Sequence, residues 1–450
     1  MDKLFSDFPK VSKAQWEEKL IKELKGADFE SSLKRNDEIE DFSYCTYYHN
    51  IDSSNSIEIP GKSSFKRGGK SDNNDWFIGA LICVENEKES NSKALDLLMT
   101  GCTSLVFDFK NNPSNLSVLF NEIGFEFIQT QFIVYSYEQF LGINVYFEKY
   151  ENCEIIYRLD FFSSDELMSK FTDFTSLIAS KNTRFCHVNT FEIQQCGANI
   201  SQEISFGLAC GHEYLVKLME SGYTIDQAAA CIHFSVGIGA NYFYEIAKIR
   251  SMRVLWSKIV QSYNPLDKNS ANCPITAEVG HMNKSLKDPY TNLLRQTTEG
   301  MSAISAGVET LLVHPYNSKS VDGPCVLSSR MALNISLILK DESYFDKVID
   351  PIGGSYSIEK LTDIISENAW KMFQEIDSKG GILSSKAVEL IKSAISNKVE
   401  IRKAKVKSGK QMMIGINKFT NPLVETNSWS VEESYFGLKK VVFERDIKFN

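Results

Sequence analysis

The chain has 450 residues, 43% of them hydrophobic and 24% charged, an ordinary globular balance that excludes a disordered or fibrous polypeptide. Its 49 basic residues against 58 acidic ones leave a net charge of −9; a surface so biased repels polyphosphate, which argues against nucleic acid and anionic membrane as partners. The length allows one large domain or two to three ordinary ones.

In chain order, Val11-Ser12 precedes a pattern in which Trp16, Leu20 and Leu24 recur every four residues, and Gly26 supplies a left-handed stop. A polar, acidic stretch from Lys34 to Glu40 leads to an aromatic patch of Phe42, Tyr44, Tyr47 and Tyr48. One amphipathic helix with trailing aromatics cannot enclose a core. Residues 1–60 are therefore expected to form an arm that packs on the main domain or on a partner chain, the alternative being a disordered leader.

From Trp76 to Glu400, short apolar runs alternate with stretches of helical period. The strand-like runs are Gly79–Val84, Ser104–Phe109, Glu154–Phe162, Arg184–Phe191, Ile275–Val279 and Thr310–His314. Thr224-Ile-Asp-Gln227 makes a capping box ahead of a helix predicted over Ala228–Val236. Asn241 to Tyr263 carries apolar residues on one face, and Asp288-Pro289 opens a further helix with proline pre-set for the first turn. Such alternation predicts parallel strands with crossover helices. More than about 250 residues of it without a linker favours a closed (β/α)8 TIM-type barrel. The expected divisions are the arm over 1–60, the barrel over 61–400 and a C-terminal extension over 401–450 packing on it. Lys398 to Lys410 reads as a solvated helix and Met412–Ile416 as a last strand.

The ten cysteines form no CxxC pair and mostly sit in apolar runs, as buried thiols in a reducing compartment would. The opening Met-Asp-Lys-Leu-Phe-Ser-Asp lacks the apolar core of a secretory signal. The longest apolar stretch, Ala228 to Ala240, is interrupted by His233 and Ser235 and is too short to span a bilayer. These features predict a cytoplasmic chain.

Candidate chemistry is sparse. His212-Glu213 begins an HExxH-like string but lacks the second histidine, and Cys231-Ile-His233 reads as part of a helix with a satisfied core histidine, so no metal is expected. Gly237-Ile-Gly239 lacks the third glycine of a dinucleotide fingerprint and reads as a tight turn between two helices. Thr190-Phe-Glu-Ile-Gln-Gln-Cys-Gly-Ala-Asn199 follows a strand-like run and would lie at the C-terminal rim of a barrel. Its polar side chains could serve substrate carbonyls, cap the next helix or bind a neighbouring loop. Asp350-Pro-Ile-Gly-Gly-Ser-Tyr356 reads as a structural turn.

Taken together, several motifs in order resemble a known family. Asp288-Pro-Tyr-Thr-Asn-Leu-Leu-Arg-Gln-Thr-Thr-Glu-Gly-Met301 is the strongest; Asp350 to Tyr356, Leu24-Lys-Gly-Ala-Asp-Phe29 and Ile414-Gly-Ile-Asn-Lys418 are further hallmarks. Over nearly its whole length the chain resembles the small, non-catalytic subunit of adenosylcobalamin-dependent methylmalonyl-CoA mutase. The resemblance implies a (β/α)8 barrel whose interior, in the active subunit, admits an acyl-CoA along its axis. It also implies an isomerase complex of propionate metabolism, in which the active subunit interconverts methylmalonyl-CoA and succinyl-CoA through an adenosyl radical shielded from solvent.

The departures from the active pattern set the expected role. The active subunit's Tyr-His-Met-Gln-Glu-Ala-Gly-Ala run falls on Phe191 to Ala198, so the histidine that hydrogen-bonds the thioester carbonyl is replaced by Glu192 and its tyrosine neighbour by Phe191. An ionised glutamate only accepts hydrogen bonds and opposes negative charge on that oxygen. Phe191, Glu192 and Gln194 are thus expected to form a degenerate site with no catalytic residue. The family's Arg-x-Tyr-Ala-Gly-Phe-Ser loop has no match between Lys66 and Ala80. No histidine is preceded two places earlier by aspartate, as the family's cobalt-ligating Asp-x-His-x-x-Gly requires, and the chain stops at Asn450, so a C-terminal cobalamin domain is not expected. The expected function is that of a non-catalytic subunit in a heterodimer, stabilising a catalytic large subunit that carries the adenosylcobalamin, with acyl-CoA bound weakly at most. The alternative is an active acyl-CoA mutase barrel that takes its cobalamin domain from a separate chain.

Overall fold

The computed structural model describes residues 7, 9, 11–52, 58–62, 64–110, 113, 115–150, 152–178, 183–420, 428–430 and 433–447. Near the start, a helix spans Lys13–Glu23, with Ser12 and Gln15 forming a capping box, and Gly26 takes a φ of +91°. The polar stretch after it is a strand: β1 (Lys34–Asp37) pairs antiparallel with β2 (Phe42–Cys45). Phe42 is buried against Tyr244, with ring centroids 5.1 Å apart. The hairpin is tied down electrostatically as well. Glu40 accepts a hydrogen bond from the Ile200 amide at 2.8 Å and pairs with Arg402 at 3.1 Å.

Eight parallel strands close into a barrel: β3 (Phe77–Cys83), β4 (Ser104–Asp108), β5 (Gln129–Ile133), β6 (Glu154–Leu159), β7 (Arg184–Asn189), β8 (Ile232–Ile238), β9 (Ile275–Val279) and β10 (Thr310–Leu312). β10 pairs with both β3 and β9, which completes the ring. Side chains alternate across each strand. On β5, Phe132 points outward into an aromatic cluster with Phe107, Phe120 and Phe147, while Gln129 and Gln131 point to the axis.

Six of the barrel strands coincide with the apolar runs of the sequence; β5 and β8 do not. β5 reads as polar because its inward residues are glutamines. β8 reads as helix because a true capping box stands before it. Thr224 and Gln227 do cap a helix, but that helix covers only Ile225–Ala230, and Ile232–Ile238 is an entirely buried strand. Val236 is therefore not helical, and Gly237-Ile-Gly239 is the end of a strand, not a turn between helices.

The helix Tyr242–Ser262 matches expectation, whereas the one after Asp288-Pro289 begins only at Thr291. The basic tail is the end of a helix over Ser385–Lys407, but it is not wholly solvated: Lys398 is buried, its ammonium on the Glu38 carbonyl at 2.8 Å. Met412–Ile416 is not a strand. Asn417 donates to the carbonyls of Val406 (2.7 Å) and Gln411 (2.8 Å), curling the chain into a turn, and a closed barrel offers no edge to join. The Asp350 turn is structural, with its buried carboxylate held by Arg250 at 2.6 Å and Arg67 at 2.8 Å.

A second buried cation fixes the end of β8. Lys248 is fully buried between Glu203 (2.9 Å) and Glu245 (2.5 Å) and also donates to the Gly237 carbonyl. The Gly237 amide in turn donates to Glu203 at 2.9 Å. Removing one member of such a cluster strands the other charges in a low-dielectric interior. Lys248→Met is expected to cost about 3–5 kcal/mol, read as a lowered urea midpoint. Lys22→Met, at the exposed Glu18 pair (2.8 Å), should leave the midpoint nearly unmoved.

Candidate site at the barrel mouth

The C-terminal rim is where barrel enzymes place their chemistry, and the polar run of the sequence stands there. β7 ends at Asn189, whose side chain caps a short helix over Thr190–Gln195. Asn199 then caps the long helix Ile200–Glu220 through a capping box with Gln202. The short helix lies directly on the ends of β8 and β9, which two glycines permit. A Cβ at Gly237 would stand 2.8 Å from Gln194, and one at Gly280 would stand 2.6 Å from the Gln195 amide nitrogen. Gln195 also accepts a hydrogen bond from the His281 amide at 2.7 Å. Gln194 and Gln195 are thus packing and bridging groups at the foot of the mouth.

Phe191 is buried, its ring 5.8 Å from His314 and 6.3 Å from His281. Glu192 pairs at 2.5 Å with Lys440, which arrives from the C-terminal segment. Of the three residues singled out in the sequence, Phe191 and Glu192 line the mouth cavity, while Gln194 packs beneath it on Gly237.

The barrel interior beneath them is polar and interlocked. Arg158 of β6 reaches across to Glu278 of β9 and donates to Ser235 of β8 at 2.7 Å. His187 meets the same Ser235 hydroxyl at 2.8 Å, and His314 lies 3.4 Å from Glu278. Lower down, Gln131 of β5 donates to Thr276 of the diametrically opposite β9 at 3.3 Å. Gln129 accepts from Ser104 at 3.0 Å and from Thr310 at 2.9 Å. Burial pushes the Glu278 carboxyl up, but the Arg158 and His314 charges outweigh it and hold it down at about 2. Burial, reinforced by the Arg158 charge, pushes His187 and His233 well below the usual imidazole range, so both are neutral. His233 is buried as expected and stacks on His187 at 5.7 Å. Contrary to expectation its ring nitrogens have no hydrogen-bond partner among the described residues, and it belongs to a strand.

Above this network a cavity of about 830 Å³ opens, lined by Asp108, Arg158, Asp160, His281 and His314 from the barrel and by Glu433, Tyr435 and Lys440 from the C-terminal segment. That segment carries a small antiparallel hairpin, β11 (Ser434–Tyr435) with β12 (Leu438–Lys439). Tyr435 donates to Asp160 at 2.7 Å. Burial pushes the Asp160 carboxyl up to about 6, against the pull of that hydrogen bond. Burial also raises Glu433, but Lys319 and Lys440 bring it down to about 2.

Arg158, Glu278, Lys440 and Asp160 were not singled out in the sequence. All but Lys440 carried a signal: Arg158 and Asp160 inside the apolar run Glu154–Phe162, and Glu278 inside Ile275–Val279, are charges that the core must pair or neutralise. His212 is occupied by Tyr263 at 2.7 Å, and no group of three metal-ligating side chains occurs among the described residues. No helix among those residues is long and apolar enough to cross a membrane.

Residues 154–440 match the family model described as methylmalonyl-CoA mutase. Over 93% of this chain and 71% of the relative, the sequence is 34% identical to the methylmalonyl-CoA mutase small subunit of Porphyromonas gingivalis. The methylmalonyl-CoA mutase of Rhizobium meliloti and the mitochondrial one of Homo sapiens are 32% and 34% identical over 52% of this chain. The chain spans only about a third of those two proteins, 32% and 31% respectively. The chain belongs to the methylmalonyl-CoA mutase family.

The Asp160 carboxyl generates a pH test. A carboxyl raised to about 6 in the folded state contributes stability that is complete below its unfolded value near 4 and is lost as pH rises through 6. The melting temperature of Asp160→Asn is expected to fall less than that of the wild type between pH 4 and 7, by a few degrees. Parallel melting curves across that range would mean that Asp160 does not titrate there.

Proposed function

We propose that this chain is the non-catalytic small subunit of a heterodimeric methylmalonyl-CoA mutase and that it stabilises a catalytic large subunit. The observation that carries this reading is the filled axis. A substrate threading the barrel would need a continuous channel, and Arg158–Glu278 and Gln131–Thr276 bridge that space by direct contacts. Opening it would require breaking a buried ion pair, which costs about 3–5 kcal/mol when one partner is removed.

The rim supports the same conclusion. Glu192 lines the mouth but its carboxylate is engaged by Lys440, and a carboxylate in an ion pair accepts hydrogen bonds and donates none. The mouth does not fit a corrin either. Its face carries the C-terminal segment, and its histidines 187, 281 and 314 are buried beneath that cover. On this reading the adenosylcobalamin and the isomerisation belong to the partner. The N-terminal arm, residues 1–60, supplies part of the subunit contact. Its Lys13–Glu23 helix has no buried residue, and Val11 and Ile21 are more than half exposed. The mutase-like barrel is assigned to the span 61–400 and a C-terminal extension to 401–450, whose described residues 433–447 pack on the barrel mouth, and the chain works in the cytoplasm.

Co-expression with a catalytic methylmalonyl-CoA mutase subunit tests this. The two chains are expected to co-elute as one complex burying on the order of 2,000 Å². Calorimetry of this chain alone with succinyl-CoA should show no binding heat. Glu192→Gln should leave turnover of the complex unchanged; loss of turnover would make this barrel the catalytic one.

A further inference from the structure

The C-terminal segment crosses the barrel mouth and is clamped to it at both sides. On the β10 side, Ser430 donates its amide to the Lys319 carbonyl at 2.8 Å, and the Lys319 ammonium pairs with Glu433 at 2.8 Å. On the β6 side, Tyr435 holds Asp160. Over the short rim helix, Lys440 bridges Glu433 at 2.8 Å and Glu192 at 2.5 Å, and the Val441 amide donates to the Gln195 carbonyl at 2.8 Å. On the β9 side, the Phe443 amide donates to the Met282 carbonyl at 3.1 Å, and Glu444 accepts from Ser285 at 2.6 Å and from the Leu286 amide at 2.7 Å. Glu433, Tyr435, Lys440 and Arg445 of the same stretch form part of the wall of the 830 Å³ cavity.

We infer that residues 433–445 are a strap latched across the barrel mouth, and that Glu192 is the positioning residue that anchors it through Lys440. The latch is a line of four alternating charges, Glu192, Lys440, Glu433 and Lys319. Each carboxylate and each ammonium is partly shielded from water, so the pairs are stronger than open surface ones. The strap is built from this chain's own residues. Its test reads exposure of one thiol, whereas the subunit assignment is read by co-elution and turnover, so the failure of one is distinguishable from the failure of the other.

Cys196 reports on the latch. Its thiol is buried directly under the strap, 3.6 Å from the Leu438 carbonyl and 3.8 Å from the Tyr435 carbonyl. Burial pushes it up to about 12, so it is inert to alkylation while covered. Cys102 and Cys273, buried just before β4 and β9 at the end of the barrel opposite the mouth, serve as internal controls.

The experiment is residue-resolved iodoacetamide labelling of the full chain by mass spectrometry. Lys440→Ala and Glu192→Ala are each expected to speed labelling of Cys196 about tenfold, the loss of one charge-assisted hydrogen bond, with Cys102 and Cys273 unchanged. The exchanged pair Glu192→Lys with Lys440→Glu tests the charge contact itself. It faces Glu433 with a second carboxylate, so it should restore part of the protection but not all of it. An unchanged Cys196 rate in both single variants would overturn the latch. So would a rise shared equally by Cys102 and Cys273, which would report general loosening.

Discussion

The structure turns on a constraint inside the barrel: its axis is filled by polar side chains that must satisfy one another. Most barrels of this kind pack their interiors with branched aliphatic residues. Here Arg158 and Glu278 lie buried with Ser235, His187 and His314 around them. A guanidinium taken from water tolerates such a place only with a carboxylate against it. Glu278 is held ionised for the same reason, and the histidines nearest Arg158 are held neutral. The charges of the interior are thus fixed by their neighbours, and the space they occupy is not available to a ligand.

The mouth inherits its shape from that interior. The strand ends at Gly237 and Gly280 must lack side chains so that Gln194 and Gln195 can lie on them. The Gly237 backbone is held from behind, its carbonyl by Lys248 and its amide by Glu203. The short Thr190–Gln195 helix therefore rests on a fixed base, and Glu192, half-buried, is presented to the mouth. A charge presented at that rim finds Lys440.

How far the sequence speaks depends on whether the deciding contacts are local. The amphipathic pattern Trp16, Leu20, Leu24 and its glycine stop lie within one helix, and both are legible. So is the family resemblance, which rests on contiguous motifs. β8 was misread because the capping box at Thr224 is a real local signal, and only the barrel decides that the helix yields to a strand after Ala230. β5 was missed because its glutamines are inward-facing partners of Ser104, Thr276 and Thr310, far away in the chain. The Met412–Ile416 turn follows from Asn417 reaching back to Val406 and Gln411. No periodicity encodes such bonds.

Glu192 shows what separates a residue type from its role. Read along the chain, an acid in place of a proton donor marks only a loss. In three dimensions the same carboxylate meets an ammonium that is 248 positions away by residue number, Glu192 against Lys440. A histidine at this position would be a poor substitute: near neutral pH it carries at most a partial positive charge and would face Lys440 with no attraction. A glutamine would keep a hydrogen-bond acceptor but lose the Coulomb contact that is strengthened by partial burial. The acid is therefore the residue type that suits the covering segment, because it supplies the charge that Lys440 meets at the rim.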